Sequence, residues 1–444
     1  MRQVIGSEKI MTRNILMHIF SLPIFILIVF ILRSAADQNT SLLIDREIAK
    51  HKAEIIKIRR FLHMNPELSN QEFETANLIA SKLLSLGLEV KTGIAKTGVT
   101  GLLRGEMQGL TIGIRADMDA LPIQEITDVP FKSLNPGVMH ACGHDIHMAI
   151  ALGTAMVMDA LKDRINGNIK FIFQPAEEGG PWEETGGAER MIQEGVLEAP
   201  SVKAIFGLHV WPEEVGQVLF SSGPIMASSD WFKITIQGKS SHAAMPHQGI
   251  DAISLASQVI VSLQSIVSRA VDPTDPAVVT IGKIEGGTKS NIIAEKVVIE
   301  GTIRTLSETN RVKIPRLIED LVRGLTDTFD ANYLFDYNKG APPLYNHPDL
   351  ASILLPSLTR VLGESNVKQV KPQMIAEDFS YYCQKIPGFY FLLGVKSPEN
   401  SSLAPLHSPF FNPDERSIPI GIKIMCHLLI QCFEHQRHIG EMPR

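Results

Sequence analysis

The sequence predicts an α/β protein in which a second domain is inserted into the first, and three observations carry that prediction. Its 444 residues exceed what one hydrophobic core usually serves. Short apolar runs alternate with helical stretches through residues 41–226, and the alternation resumes over 338–436. Between them, residues 227–337 read strand, helix, strand, strand, helix, strand, which is the order of a ferredoxin-like unit.

From the N-terminus, Arg2, Lys9 and Arg13 precede an apolar run over 22–32, and the small residues Ser34 and Ala36 follow it. This is the layout of a secretory signal peptide, placed at 1–36, and it predicts passage to the periplasm, the endoplasmic reticulum lumen or the exterior. The alternative is an uncleaved membrane anchor, since residues 15–32 almost span a bilayer, although His18, Ser21 and Pro23 interrupt them. Cleavage would leave no stable membrane partner. Asn39-Thr-Ser and Asn400-Ser-Ser are glycosylation sequons.

Ile48, Ile55, Ile58 and Leu62 recur at helical spacing and stop before Pro66. Ser69 with Glu72 then reads as a capping box ahead of a helix carrying Phe73, Ala76, Ile79 and Leu83, with Gly87 as its stop. Apolar runs at 110–114, 169–173 and 204–208 predict buried strands, with helices at 146–161 and 188–194 between them. Asp117 and Asp119 follow the first run, Glu177 and Glu178 the second, and His209 the third. All are expected just past a strand's carboxyl end, the edge where α/β sheets bind ligands. The insert's predicted strands are 232–237, 277–284, 297–305 and 333–337, with helices at 251–268 and 311–330. A helix at 350–362, a strand at 389–393 and a helix at 418–433 return to the first domain.

Composition narrows the function. A net charge of -6 and a pI near 6.2 give no electrostatic case for nucleic acid, which leaves a small-molecule site. The four cysteines are too sparse for a disulfide scaffold, and Cys142 stands among histidines.

The densest constellation is Met139-His-Ala-Cys-Gly-His-Asp-Ile-His147, in which Cys142 and His144 can face the same way in an extended loop. Thiolate and imidazole together suit a borderline transition metal, although a polar turn with satisfied histidines has the same letters. In Gln174-Pro-Ala-Glu-Glu-Gly-Gly180, adjacent carboxylates make sense if one ligates a cation while the other takes a proton from water. A solvated acidic turn is the plainer alternative. His209 and His407 are each either a ligand or an ordinary core or loop histidine. Gly238-Lys-Ser is no phosphate loop, because Lys233 stands where that motif needs its first glycine.

Arg59-Arg-Phe-Leu-His-Met-Asn-Pro-Glu-Leu68, Ile114-Arg-Ala-Asp-Met-Asp-Ala-Leu-Pro122, the Cys142/His144 loop and Gln174-Pro-Ala-Glu-Glu together resemble the metallopeptidase family of aminoacylases, hippurate hydrolases and auxin-conjugate amidohydrolases. The resemblance spans roughly residues 45–435. It implies a zinc-peptidase-like catalytic domain with a mixed central sheet, and an inserted lid that also serves dimerisation. It implies further that Cys142, His144, Glu178, His209 and His407 hold two divalent cations, Mn2+ or Zn2+, and that Glu177 is the general base. Asp117 and Asp119 would orient these groups, although distant relatives carry a ligand histidine in this stretch that is absent here. Gly238-Lys-Ser-Ser-His-Ala-Ala-Met-Pro-His247 resembles the lid motif whose histidine, here His242, reaches the substrate and can act across a homodimer. Asn291 and Arg304 match positions near a substrate carboxylate, and Arg304 pairing within the lid sheet is the structural alternative. Glu377, in Met374-Ile-Ala-Glu-Asp-Phe379, is either a site residue or helix N-terminal charge.

The expected reaction is hydrolysis of the amide of an N-acyl or indole-acyl amino acid. Alternatives are a dipeptidase or carboxypeptidase with the same cations, and a non-catalytic binding protein on the same fold. The loop Pro181-Trp-Glu-Glu-Thr185 is longer than in many relatives, and Trp182 either lines the pocket or covers the loop.

Overall fold

The computed structural model describes residues 38–179, 186–399 and 403–443, so the signal-peptide reading, Trp182 and Asn400 lie outside the described residues. The chain forms two compact units, 1–52 and 53–444. In the first, residues 38–52 are helical.

The second unit opens with helical residues 53–64 (α1), which end ahead of Pro66 because a residue before proline is pushed out of the α region. There follow α2 (Phe73–Ser85), β1 (Glu89–Ile94), β2 (Gly98–Arg104), β3 (Met107–Asp117), α3 (His144–Asp159), β4 (Asn166–Gln174), α4 (Gly187–Gln193) and β5 (Val202–Glu214). After β6 (Val218–Phe220) and β7 (Gly223–Met226) come β8 (Asp230–Gln237), α5 (Ala252–Ser265), β9 (Ala277–Gly286), β10 (Lys296–Thr305), α6 (Glu308–Thr328) and β11 (Asn332–Lys339). The chain closes with β12 (Leu344–Asn346), α7 (Pro348–Leu362), β13 (Val367–Gln369), α8 (Ser380–Cys383), β14 (Gly388–Lys396), α9 (Ser417–Glu434) and α10 (Gln436–Glu441).

The large sheet has eight strands in the order β1-β2-β4-β3-β5-β14-β6-β13. Its centre is parallel: β3 pairs in that sense with β4 and β5, and β5 with β14, so these carboxyl ends share one edge. The antiparallel pairs β1/β2, β2/β4 and β14/β6 make the sheet mixed. All of α3 except Asp159 is buried, and α9 packs beside it, so this side of the sheet is sealed by apolar helices.

The second sheet is built only from residues 230–339, is wholly antiparallel and runs β11-β8-β10-β9. In the insert's own order that is fourth, first, third, second, with α5 and α6 packed together over a core of Phe232, Ile234, Val259, Ile299 and Ile318. The ferredoxin-like order read from the sequence is therefore the order in space.

Two expectations need correction, and two strands were missed. Ser69 and Glu72 form no capping box: Glu72 holds the N-cap position of α2 without a side-chain bond to it. Its carboxylate instead accepts from Thr97 Oγ1 at 2.6 Å and the Ala176 N–H at 2.9 Å, while Ser69 donates to Asp119 at 2.7 Å. Polar partners near the site, donors for Glu72 and an acceptor for Ser69, outcompete a local cap. Nor do all the marker residues lie beyond strand ends, because Asp117 is the last residue of β3 and His209 stands inside β5, which continues to Glu214. The strands β1 and β2 went unread: the first is mostly exposed, and the second carries glycines where side chains press close, a Cβ on Gly101 meeting Leu83 at 2.9 Å.

Candidate metal centre

The parallel strands deliver polar groups to one edge. β4 ends at Gln174, and the chain turns through Pro175 and Ala176, whose φ of 51° is left-handed, to present Glu177 and Glu178. Glu72 anchors that turn through Ala176. On the loop before α3, Gly143 has φ 86°, and a Cβ there would meet Val210 Cγ2 at 2.5 Å. Only glycine lets Cys142 and His144 flank so tight a turn against β5. His407 comes in on a later loop, also at positive φ (63°), and its N–H bonds Ala141 O at 2.9 Å.

These pieces converge on Cys142. Its Sγ lies 3.3 Å from His209 Nε2 and 3.3 Å from His407 Nε2, and Glu178 Oε1 is 3.2 Å from the same His407 nitrogen. Two donor groups share the thiol, Cys142/His144/His209 and Cys142/Glu178/His407, each with its ligand atoms within 4.8 Å of one another.

Hydrogen bonds fix which ring nitrogens are free. His144 Nδ1 lies 2.8 Å from Asp119 O and can only donate to it, which leaves Nε2 as an acceptor, buried and without a partner. His209 Nδ1 likewise donates to Val210 O at 2.7 Å, so its Nε2 lone pair faces the thiol. Asp119 also accepts from the Glu178 N–H at 3.0 Å, which holds the carboxylate-bearing turn against the histidine loop.

The donor set fits a pair of divalent cations. His144 Nε2 is buried without a hydrogen-bond partner, and Glu178 Oε1, also buried, meets only the half-exposed His407 Nε2 among the described residues, a costly arrangement that a cation would relieve. Burial, Glu178 and Glu177 push the Cys142 thiol well above its ordinary range, while Asp117, Asp119 and Glu178 overcome burial to push His144 up to about 10. The pocket thus calls for positive charge at the positions where a thiolate and a neutral imidazole would ligate.

Asp117 binds the neighbouring His147, whose Nδ1 is 2.6 Å away, and Arg115, whose Nη1 is 2.7 Å away. Burial works against its charge, but His144, His147 and Arg115 hold it well below the usual carboxylate range. Although His147 groups with Asp117 and His144 by distance, its Nε2 accepts the Val210 N–H at 2.9 Å, so both ring nitrogens are engaged. It ties the end of β3 to β5 beside His209.

Glu177 sits at the mouth of this cluster, its side chain 12% exposed, with Oε2 3.9 Å from His144 Nε2. Burial and then the charges of Glu377 and Glu178 push its carboxyl well above the usual range. Below it lies an acidic floor of Glu377 and Asp378, spanned by Arg115. Glu377 therefore lies beside the site, where Oε1 accepts from the Phe379 N–H at 3.0 Å and Oε2 from Tyr390.

A cleft of about 580 Å³ opens on Glu177, Glu178 and His407 and reaches across to Trp231 and Arg304 of the second sheet. Arg304 lies over the ring of Trp231 on the neighbouring strand β8, its guanidinium carbon 5.8 Å from the centroid, so it both contacts the lid sheet and borders the cleft. His242 and Asn291 are not brought to this cleft. They are exposed on neighbouring loops joined by the bond from the Ala243 N–H to Asn291 O.

Sequence reasoning missed Arg115, His147, Gln174 and Asp378. The motif Ile114-Arg-Ala-Asp held the signal for Arg115, a charged residue directly after the mostly apolar run 110–114.

Residues 113–431 match the peptidase family M20/M25/M40. The N-acyl-L-amino acid amidohydrolase of Geobacillus stearothermophilus is 45% identical over 307 residues, 69% of this chain and 81% of that protein. The thermostable carboxypeptidase 2 of Saccharolobus solfataricus is 40% identical over 379 residues, 85% of this chain and 94% of that one. Among solved structures, a dinuclear metal binding peptidase from the M20 family of Bacillus subtilis superposes with a TM-score of 0.74 at 34% identity, covering 86% of this chain and 98% of its own. With its ordered donor set and mixed sheet, the chain belongs to peptidase family M20/M25/M40 and is a metal-dependent amidohydrolase.

Proposed function

We propose that the chain hydrolyses the amide of N-acyl amino acids, hippurate-like or indole-acyl conjugates included, releasing an acid and an amino acid. The observation that carries this reading is the convergence of Cys142, His144, His209, Glu178 and His407, with Glu177 beside them and outside the two groups that share the thiol. Two divalent cations, Zn2+ or Mn2+ by the mix of thiolate, imidazole and carboxylate donors, supply Lewis acidity to the scissile carbonyl and acidify water when bound.

Glu177 takes the proton from the attacking water and passes it to the departing amine nitrogen; its place at the cleft mouth lets it reach both. Asp119 O and Val210 O keep His144 and His209 in the tautomers that leave Nε2 free. Arg304, beside Trp231 on the far wall, offers a guanidinium fork to the free carboxylate of the amino acid. That contact favours substrates with a carboxyl next to the amide. A carboxypeptidase reading shares it, and the carboxypeptidase relative favours keeping it as the second reading.

A second copy of the chain completes the arrangement. β9 is a sheet edge, and Ile253 (49%) and Val261 (72%) on α5 and Ile284 (55%) on β9 are exposed, an apolar face suited to a homodimer that would bring His242 and Asn291 to the partner's cleft.

The test is Glu177→Gln assayed on hippurate, N-acetyl amino acids, indole-acyl amino acids and dipeptides, with elemental analysis of bound metal. Full metal content with turnover reduced about 10²–10⁴-fold is expected. Unchanged turnover at full metal content rejects Glu177 as the base, and dipeptides cleaved in preference to acyl amino acids select the second reading.

A further inference from the structure

We propose that Arg59 and His63, one helical turn apart on α1, are positioning residues that set the spacing of the two loops carrying the metal ligands. Neither lines the cleft, yet both are buried, Arg59 completely. They sit in a chain of charges that alternates in sign. Glu415 meets Arg59 Nη1 at 3.3 Å, and Arg59 Nε meets Asp145 Oδ2 at 2.8 Å, an ion pair rather than an aligned hydrogen bond. Asp145 Oδ2 in turn meets His63 Nδ1 at 2.8 Å, and His63 Nε2 meets Glu125 Oε1 at 3.3 Å.

Both ring nitrogens of His63 face carboxylates, with Arg59 Nη2 a further 3.4 Å neighbour of Nδ1, and the two carboxylates favour the doubly protonated ring. Burial opposes that charge, and Asp145 and Glu125 hold the imidazole above its ordinary range in spite of it. Phe131 closes the group, with the guanidinium carbons of Arg59 and Arg60 at 4.8 and 4.9 Å from its centroid and the His63 ring edge-on at 5.6 Å.

The consequence lies in what each end of the chain is attached to. Asp145 directly follows His144 at the start of α3, and Glu415 lies on the segment running from His407 to α9. Glu125 and Phe131 belong to the stretch leading into Met139-His-Ala-Cys142. Arg59 therefore grips the two ligand loops at once, and the 3.3 Å approach of His407 Nε2 to Cys142 Sγ depends on how far apart it holds them. Besides the His407–Cys142 approach, two backbone bonds join these loops, His407 N–H to Ala141 O and Ile126 N–H to Pro409 O. A lysine cannot reproduce a fork that meets carboxylates on two sides.

This inference rests on the dinuclear reading, which the unaltered chain tests separately by taking up two equivalents of Co2+. The experiment titrates Co2+ into the full-length metal-free chain and its Arg59→Lys and His63→Gln variants against a chelator, following the thiolate-to-cobalt absorption of Cys142. Unfolding curves are recorded in parallel. The expected result is roughly 10–100-fold weaker uptake of cobalt with a weakened or shifted thiolate band, in variants whose unfolding is still cooperative. Folded variants that bind two cobalt ions with unaltered affinity and an unaltered band overturn the proposal, because a role in folding alone would lower stability and leave both readouts in place. Should Arg59→Lys fail to fold, His63→Gln decides, since it keeps the Arg59 ion pairs. A wild-type chain binding fewer than two cobalt ions would count against the dinuclear reading instead.

Discussion

Replacing Arg115 with methionine asks whether one buried guanidinium holds the acidic floor of the cleft together. Arg115 is 2% exposed, and its fork donates to Gln174 Oε1 at 2.9 Å, Asp117 Oδ2 at 2.7 Å and Asp378 Oδ1 at 2.6 Å, with Glu377 Oε1 at 3.1 Å from Nη2. Methionine fills comparable space and leaves those carboxylates without their common countercharge. A hydrogen bond to a charged group is worth about 1.5–3 kcal/mol, and removing one partner of a buried ion pair costs about 3–5 kcal/mol. The larger figure applies here because Asp117 keeps His147 while Asp378 and Glu377 lose the one guanidinium that pairs with them among the described residues.

The penalty must depend on pH, with a sign the structure sets. Burial pushes the Asp378 carboxyl up to about 8 while Arg115 pulls it down, so the variant's carboxyl rises further. A carboxyl held higher in the folded chain than in the unfolded one loses stability as pH rises, because the unfolded chain gives up its proton first. Urea unfolding of the metal-free chain should therefore show a deficit that grows as pH rises through and above 8, toward about 3–5 kcal/mol, and shrinks toward pH 5.5 as the floor takes up protons. A deficit under about 1 kcal/mol at the higher pH, or one that grows on acidification, refutes the reasoning.

Gly143→Ala, which forces a Cβ at φ 86° against Val210 Cγ2, should separate Cys142 from His144 and reduce bound metal by elemental analysis. Full metal content in that variant would mean that the turn can relax. If His242 acts across a dimer, His242→Ala and Glu177→Gln chains, each inactive, should regain roughly a quarter of wild-type activity when dissociated and reassembled together, since half the dimers are hybrids with one intact site. No recovery in a mixture shown to form hybrids would refute action across the interface.

Much of the site was legible locally. Cys142, His144, Glu177 and Glu178 stand out as candidate ligands and a candidate base because such groups sit on short loops, which are contiguous in sequence. The insert was legible because alternation and helical periodicity are short-range patterns. The Ser69/Glu72 reading went wrong for a related reason: a local pattern predicts a local bond, and in the folded chain Glu72 finds Thr97 and Ala176 instead.

By itself the sequence determined the order of the insert's elements and the chemical type of each candidate donor, all set by residues within a few positions of one another. Only the tertiary structure decided which of two histidines on one turn is free to ligate: His144 keeps Nε2 open, whereas His147 spends its Nε2 on Val210, 63 positions away. It alone decided that Arg115 belongs with Asp378, 263 positions on, and that Arg59 grips loops ending at Asp145 and Glu415. A buried charge must find its partner wherever the fold brings one, and that distance in space leaves no periodic trace along the chain.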